Sequence, residues 1–109
     1  MLSTEHELQP GSPQHKFVVR DLAEASKSSN RAHRPWLLVA MHRPMYVDSV
    51  EFGTPDTHQG FAIYSRAQLE ALLNEHKVDL VLSGHVHAYQ RMCNIQPGGN
   101  CTTEGKWCS

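Results

Sequence analysis

Apolar and polar positions along the chain fall into blocks that predict two helices and two strands. After the turn formers Pro10, Gly11, Ser12 and Pro13, the residues Phe17, Val18, Leu22 and Ala25 recur at spacings of one, four and three, which predicts an amphipathic helix within residues 10–29. Ser12 suits its N-cap and Pro13 its first position, since a hydroxyl can accept from an unpaired amide and proline has no amide to leave unpaired. The polar residues 26–34 are expected to end that helix. Residues 36–41 then run apolar without a break behind Pro35. That run is too short for a helix and predicts a central parallel strand covered on both faces. Between residues 43 and 62, Pro44, Gly53, Pro55 and Gly60 are scattered without period, the mark of a long loop. Ile63, Ala67, Leu69, Leu72 and Leu73 make a second helical stripe over residues 65–76, with Ser65 as its cap. Residues 78–83 read as a second buried strand, and residues 89–91 as the lead into another. From Met92 onward the chain is rich in Cys, Gly and Asn and has no pattern.

Helix, strand, helix, strand is an α/β order, with parallel strands joined by right-handed crossovers. Residues 1–4 occupy the place where a preceding strand should end. Two full strands and a stub leave sheet faces and edges without partners, so the pattern predicts a piece of a larger α/β domain. Residues 1–91 form its body and residues 92–109 a Cys/Gly-rich tail.

Composition narrows the chemistry. Of 109 residues, 39 % are hydrophobic, below the ~45–50 % usual in soluble domains, as expected if much is loop or something is missing. A net charge of −1 offers no basic footprint for nucleic acid. No apolar run reaches the ~18–20 residues of a membrane span, and residues 1–10 have neither the basic nor the apolar region of an export signal. The three cysteines, Cys93, Cys101 and Cys108, form no CxxC pair, which favours disulfide pairing over a zinc ribbon. Histidine stands out, with eight copies.

Ligands of open α/β sheets bind beyond the carboxyl ends of the strands. His42 follows the first strand, and Gly84, His85, Val86 and His87 follow the second. In extended chain, residues i and i+2 point the same way, so His85 and His87 can reach one centre or two adjacent ones, while Val86 points inward. Gly84, with no Cβ, permits a sharp turn and a close approach. His6, after the stub, is a further candidate. His15, His33 and His76 are expected on solvated surface, and His58 lies in the long loop. Arg43 and Arg91 are surface charges that can contact an anion. Three imidazoles suit zinc, iron or manganese better than calcium or magnesium. Of the carboxylates, Asp48, Glu51 and Asp56 sit in the long loop and none ends a strand.

The motifs STEH at residues 3–6, WLLVAMHRPMY at 36–46 and SGHVHAYQR at 83–91 resemble the carboxyl-terminal half of the catalytic domain of purple acid phosphatases, within the calcineurin-like metallophosphoesterase superfamily. The resemblance runs over about residues 1–101. It implies an α/β, partial metallophosphoesterase fold, an incomplete αβαβ layered sandwich with parallel strands and an irregular tail. It also implies a dinuclear metal centre, Fe(III) with Zn, Mn or Fe(II). His42 and His85 would bind the divalent ion and His87 the iron, and a metal-activated hydroxide would hydrolyse phosphate monoesters at acidic pH. The Asp, Tyr and Asn ligands that relatives draw from upstream motifs have no counterpart in these residues, so the chain alone is expected to be inactive. Some relatives carry adjacent histidines that contact phosphate. The matching region, around residues 48–53, has none, and His58 is the candidate substitute, with Arg43 a candidate substrate contact. By the same resemblance Cys93 and Cys101 pair, Asn100 opens an N-glycosylation sequon, and the location is secreted or vacuolar. The alternative is a non-catalytic truncated product that binds a metal or a partner chain. The phosphate ester is the expected partner, with no nucleic acid and no membrane.

Overall fold

The computed structural model describes residues 1–47, 58–96 and 100–101, and only the backbone of residues 58, 59, 96, 100 and 101. Helix α1 spans Pro13–Ala25 with Pro13 in its first turn, and its cap is Ser12, whose Oγ accepts the His15 amide at 3.2 Å. The same hydroxyl donates to the Glu7 carbonyl at 3.0 Å, so the cap also ties down the approaching loop. Val18 and Leu22, four residues apart, are the buried stripe.

The polar segment after α1 is not simply a loop. It contains a short helix, α2 (Ser28–His33), that has no buried residue. A helix this short and this polar is not stable by propensity, and long-range hydrogen bonds hold it instead. Arg31 Nη1 donates to Asp79 Oδ2 and to the Pro35 carbonyl, both at 2.6 Å, and its Nη2 to the Lys77 carbonyl at 2.9 Å. Asp79 Oδ2 also accepts the Leu37 amide at 2.7 Å. That cluster fixes the amino ends of both strands against α2.

Strands β1 (Leu38–Met41) and β2 (Leu80–Ser83) pair in parallel, Leu38 opposite Leu80 and Met41 opposite Ser83. On the other edge of β1, Leu2 forms a parallel bridge with Met41, and its amide donates to the Ala40 carbonyl at 2.8 Å. β1 is therefore central, as its pattern predicts, and residues 1–4 run where the stub was expected. The Gln14 amide imitates one more strand residue, accepting from the Ser3 amide at 2.8 Å and donating to the Ser3 carbonyl at 2.7 Å.

Helix α3 spans His58–Glu75 and begins before the predicted start at Ser65. Ser65 is not a cap: it is fully buried within the helix and its Oγ donates to the Ala62 carbonyl at 3.1 Å. The apolar stripe carried by Leu69 and Leu73 extends back through Ala62, so the earlier turn belongs to the same buried face. The helix closes through the amide of Val78 to the Leu73 carbonyl and the amide of Lys77 to the Asn74 carbonyl, both 3.0 Å. This Schellman closure puts Lys77 in the left-handed region, φ 52°.

The core joins Leu2 and Leu8 to Val18 and Leu22 of α1, Val39 and Met41 of β1, Met45, and Leu69 and Leu73 of α3. Val39 and Met41 share one face of β1, so both long helices cover that face, as right-handed crossovers in a steadily advancing sheet require. Among the described residues, coverage of both strands on two sides does not occur. On the opposite face Leu38 is 53 % exposed, Leu80 47 % and Leu82 51 %, and all four residues of β2 are exposed. This is a small α/β unit with an open parallel sheet, as the resemblance in its sequence implies.

The tail carries structure where none was predicted. β3 (Ile95–Gln96) and β4 (Asn100–Cys101) pair antiparallel, while residues 89–91 are not strand. Among the described residues no helix is long and apolar enough to cross a membrane.

Candidate metal centre

His42 leaves the carboxyl end of β1 and Gly84 leaves that of β2, and the Gly84 amide donates to the His42 carbonyl at 2.9 Å. The parallel pairing thus continues one step past the strands and brings the two exits side by side. His85 is next, in the left-handed region at φ 69°. The Val86 amide donates to the Gly84 carbonyl and the Ala88 amide to the Val86 carbonyl, both at 2.8 Å, so residues 84–88 form two successive three-residue turns.

Those turns replace the extended geometry expected of residues 85–87. The sharp bend falls on His85, and a Cβ on Gly84 would meet only the His42 carbonyl oxygen, at 3.9 Å. A non-glycine residue held left-handed costs about 1–2 kcal/mol, and such residues concentrate at functional sites. The bend turns the His85 ring toward His42. His85 Nδ1 stands 3.0 Å from His42 Nε2, and the rings meet edge to face with centroids 4.9 Å apart.

One nitrogen of that contact donates and the other accepts, so at least one ring is neutral. Two nitrogens bound to one ion at about 2.0–2.1 Å stand roughly 2.9–3.4 Å apart between octahedral and tetrahedral angles. The observed separation falls within that interval. The pair is therefore spaced as two nitrogen donors to one ion would be, with the ion off the line between them and the rings turned to face it. His87 is exposed, and among the described residues no group of three or more His, Cys, Asp or Glu side chains is placed to hold a metal.

The remaining candidates are spread out. His6 Nδ1 lies 2.7 Å from Ser3 Oγ on the surface. His76 is half-buried, its Nδ1 2.9 Å from Ser26 Oγ, joining the ends of α3 and α1 rather than being freely solvated. His33 is exposed, His15 half-buried and Arg91 exposed. The side chain of His58 lies outside the described residues, as do Asp48, Glu51 and Asp56 and the side chains of Asn100 and Cys101. Cys93 is disulfide-bonded.

Arg43 does not stand open toward solvent. Its Nε and Nη2 donate to the two oxygens of Glu5 at 2.8 and 2.9 Å, and its guanidinium lies 5.4 Å from the centre of the Phe61 ring. The Arg43 fork holds the Glu5 carboxyl below its ordinary range. Farther along, Tyr46 donates its hydroxyl to Glu70, and Arg66 lies over the Tyr46 ring while donating to the Met45 carbonyl at 3.0 Å. Burial, reinforced by the Glu70 carboxylate, pushes the Tyr46 phenol up. These contacts fasten the segment leaving His42 onto α3. Thr4 and Glu5 stand in the STEH motif at residues 3–6, but the letters assign them no role of their own. The available signal was their position directly after the stub strand, on the same rim as His42.

Residues 3–89 match the model of the calcineurin-like phosphoesterase family. The chain is 32 % identical over 97 residues to "Probable purple acid phosphatase 20" of Arabidopsis thaliana, an alignment covering 87 % of this chain and 20 % of the relative. It is 34 % identical to "Acid phosphatase type 7" of Danio rerio, over 72 % of this chain and 19 % of that one. It is also 34 % identical to "Probable inactive purple acid phosphatase 9" of Arabidopsis thaliana, over 97 % of this chain and 15 % of the relative. The chain spans about a fifth of the length of the curated relatives it matches. No solved structure matches it.

Proposed function

This chain belongs to the calcineurin-like phosphoesterase family, and from that premise we propose that it supplies the histidine side of a phosphoesterase metal centre of the purple acid phosphatase kind, acting on phosphate monoesters. The observation that carries the reading is the 3.0 Å approach of His42 Nε2 to His85 Nδ1 at adjoining strand ends. His42 and His85 would hold one divalent ion, and two imidazole nitrogens suit zinc, iron or manganese. An ion bound there would supply Lewis acidity to a phosphoryl oxygen. His87, two residues on, is the proposed ligand of a second, ferric ion.

The chain's own residues then divide the remaining work. The His42 carbonyl, by accepting the Gly84 amide, keeps the two ligand-bearing turns together. His42 and His85 would hold the cation through unprotonated nitrogens, so the proton between them would have to move to another ring nitrogen or to solvent, and acid, by protonating the rings, would weaken binding. Arg43, next in the chain after His42, is the proposed phosphate contact, where an arriving phosphate would compete with Glu5 for the guanidinium. His58 is the proposed acid near the leaving group. The disulfide at Cys93, proposed to join Cys101, favours an oxidising compartment, and with it a secreted or vacuolar location and glycosylation at Asn100.

A second reading has support of its own. Two relatives carry "probable inactive" in their names, and among the described residues His42 and His85 have no third ligand gathered with them. On that reading the chain binds a metal or a partner without catalysis. Both readings are tested by assaying the 109-residue chain with p-nitrophenyl phosphate at pH 5 alongside a zinc titration. The proposal expects zinc uptake of one equivalent or less and turnover no higher than background. Robust turnover abolished by a chelator would show that the chain completes a centre unaided, and absence of zinc uptake would remove the site.

A further inference from the structure

We infer that Thr4 and Glu5 are positioning residues that act through Arg43 to hold the His42 ring where it meets His85. Leu2 is bridged to β1, which places the next residues beside the carboxyl end of that strand. Thr4 is buried there, and its Oγ1 accepts the Arg43 amide at 3.2 Å. Glu5 takes the Arg43 fork with both carboxylate oxygens, at 2.8 and 2.9 Å. Phe61, on α3, lies against the guanidinium, 5.4 Å from its carbon to the ring centre. The residue following His42 is thus gripped at its amide, its charged fork and its flat face, by two elements remote in sequence.

His42 is held on its other side as well, because its carbonyl accepts the Gly84 amide at 2.9 Å. With both flanking peptide groups fixed, only two side-chain torsions remain to place the ring. A bidentate carboxylate–guanidinium pair adds direction as well as attraction, which a single lysine contact would not. Glu5 also balances the positive charge of Arg43 beside a pair of rings suited to a cation, so two separable effects are at work: placement of the ring and removal of a repelling charge.

The consequence for metal binding rests on the proposed function, but the placement of the ring does not. The test uses the 109-residue chain with the variants Glu5→Gln, Arg43→Gln, Thr4→Val and Thr4→Ser. The first readout is the through-space proton contact between the His42 and His85 rings by NMR. The second is zinc affinity by calorimetry, and the methyl shifts of Val39 and Leu69 report on the core. Glu5→Gln, Arg43→Gln and Thr4→Val are expected to lose the ring contact and to weaken zinc about 10-fold or more, while the core shifts hold and Thr4→Ser keeps the contact. Should Glu5→Gln fail to fold, the Thr4 pair carries the same comparison. Ring contact retained in all variants, with zinc affinity within about twofold of the parent, overturns the inference. So does Glu5→Gln weakening zinc while Arg43→Gln strengthens it, since charge alone would then be responsible. A parent that takes up no zinc, with variants that still lose the ring contact, leaves the positioning role standing and removes the proposed function.

Discussion

Leu69 and Leu82 offer one chemical deletion in two surroundings. Leu69 on α3 is 0 % exposed and belongs to the core, whereas Leu82 on β2 is 51 % exposed on the face that neither long helix covers. Truncating a leucine to alanine removes about three methylene-sized groups, worth roughly 2.4 kcal/mol of transfer free energy when burial is complete. At position 69 a cavity cost adds to this, giving about 3 kcal/mol within the usual range of 2–5. At position 82 water fills the space and about half the transfer term is lost, roughly 1 kcal/mol. Urea unfolding followed by far-ultraviolet circular dichroism reads the difference. With a slope near 1.5 kcal/mol per molar, the midpoint falls by about 2 M for Leu69→Ala and about 0.7 M for Leu82→Ala. Equal shifts for the two variants would refute the assignment of α1 and α3 to a single face of the sheet.

Three further outcomes follow from local geometry. Lys77→Gly should raise stability by up to about 1 kcal/mol in the same urea assay, because the closure of α3 holds Lys77 at φ 52°, and a loss of stability would contradict that conformation. Asp79, held below its ordinary value of 3.8 chiefly by Arg31 and also by the Leu37 amide, has a depressed folded pKa. Its contribution is therefore complete above pH 3.8 and disappears as pH falls through the lower folded value, so Asp79→Asn should flatten the acid limb of a stability–pH curve; an unchanged acid limb would contradict it. Tyr64→Phe removes the hydroxyl that accepts the Leu8 amide and donates to Gln9 Oε1, both at 3.0 Å, and should cost about 1–3 kcal/mol with faster amide exchange at Leu8; unaltered exchange would contradict the contact.

Features that rest on local chemistry were legible in the letters. Ser12 and Pro13 mark the start of α1 because a cap needs only its own next turn, and the apolar runs at residues 36–41 and 78–83 announce the parallel strands found at Leu38–Met41 and Leu80–Ser83. The rule that ligands gather at the carboxyl ends of such strands put His42, His85 and His87 on one rim, and only the resemblance to purple acid phosphatases paired His42 with His85. Features that depend on distant partners were not legible. The helix at Ser28–His33 exists through Arg31 and Asp79, forty-eight positions apart, and no polar hexapeptide advertises that. The clasp of Glu5 on Arg43 is likewise a product of the fold. The bend at His85 eluded the alternation rule because one left-handed residue breaks the period of two that the rule assumes.

Imidazole nitrogen-15 spectra of the 109-residue chain, recorded with and without zinc, test the pairing of these two histidines most directly. Zinc should shift His42 Nε2 and His85 Nδ1 together, and the ring that remains should not respond in His42→Ala or His85→Ala. Signals that stay in place when zinc is added, or that move on only one of the two rings, would contradict a shared ion between the strand ends.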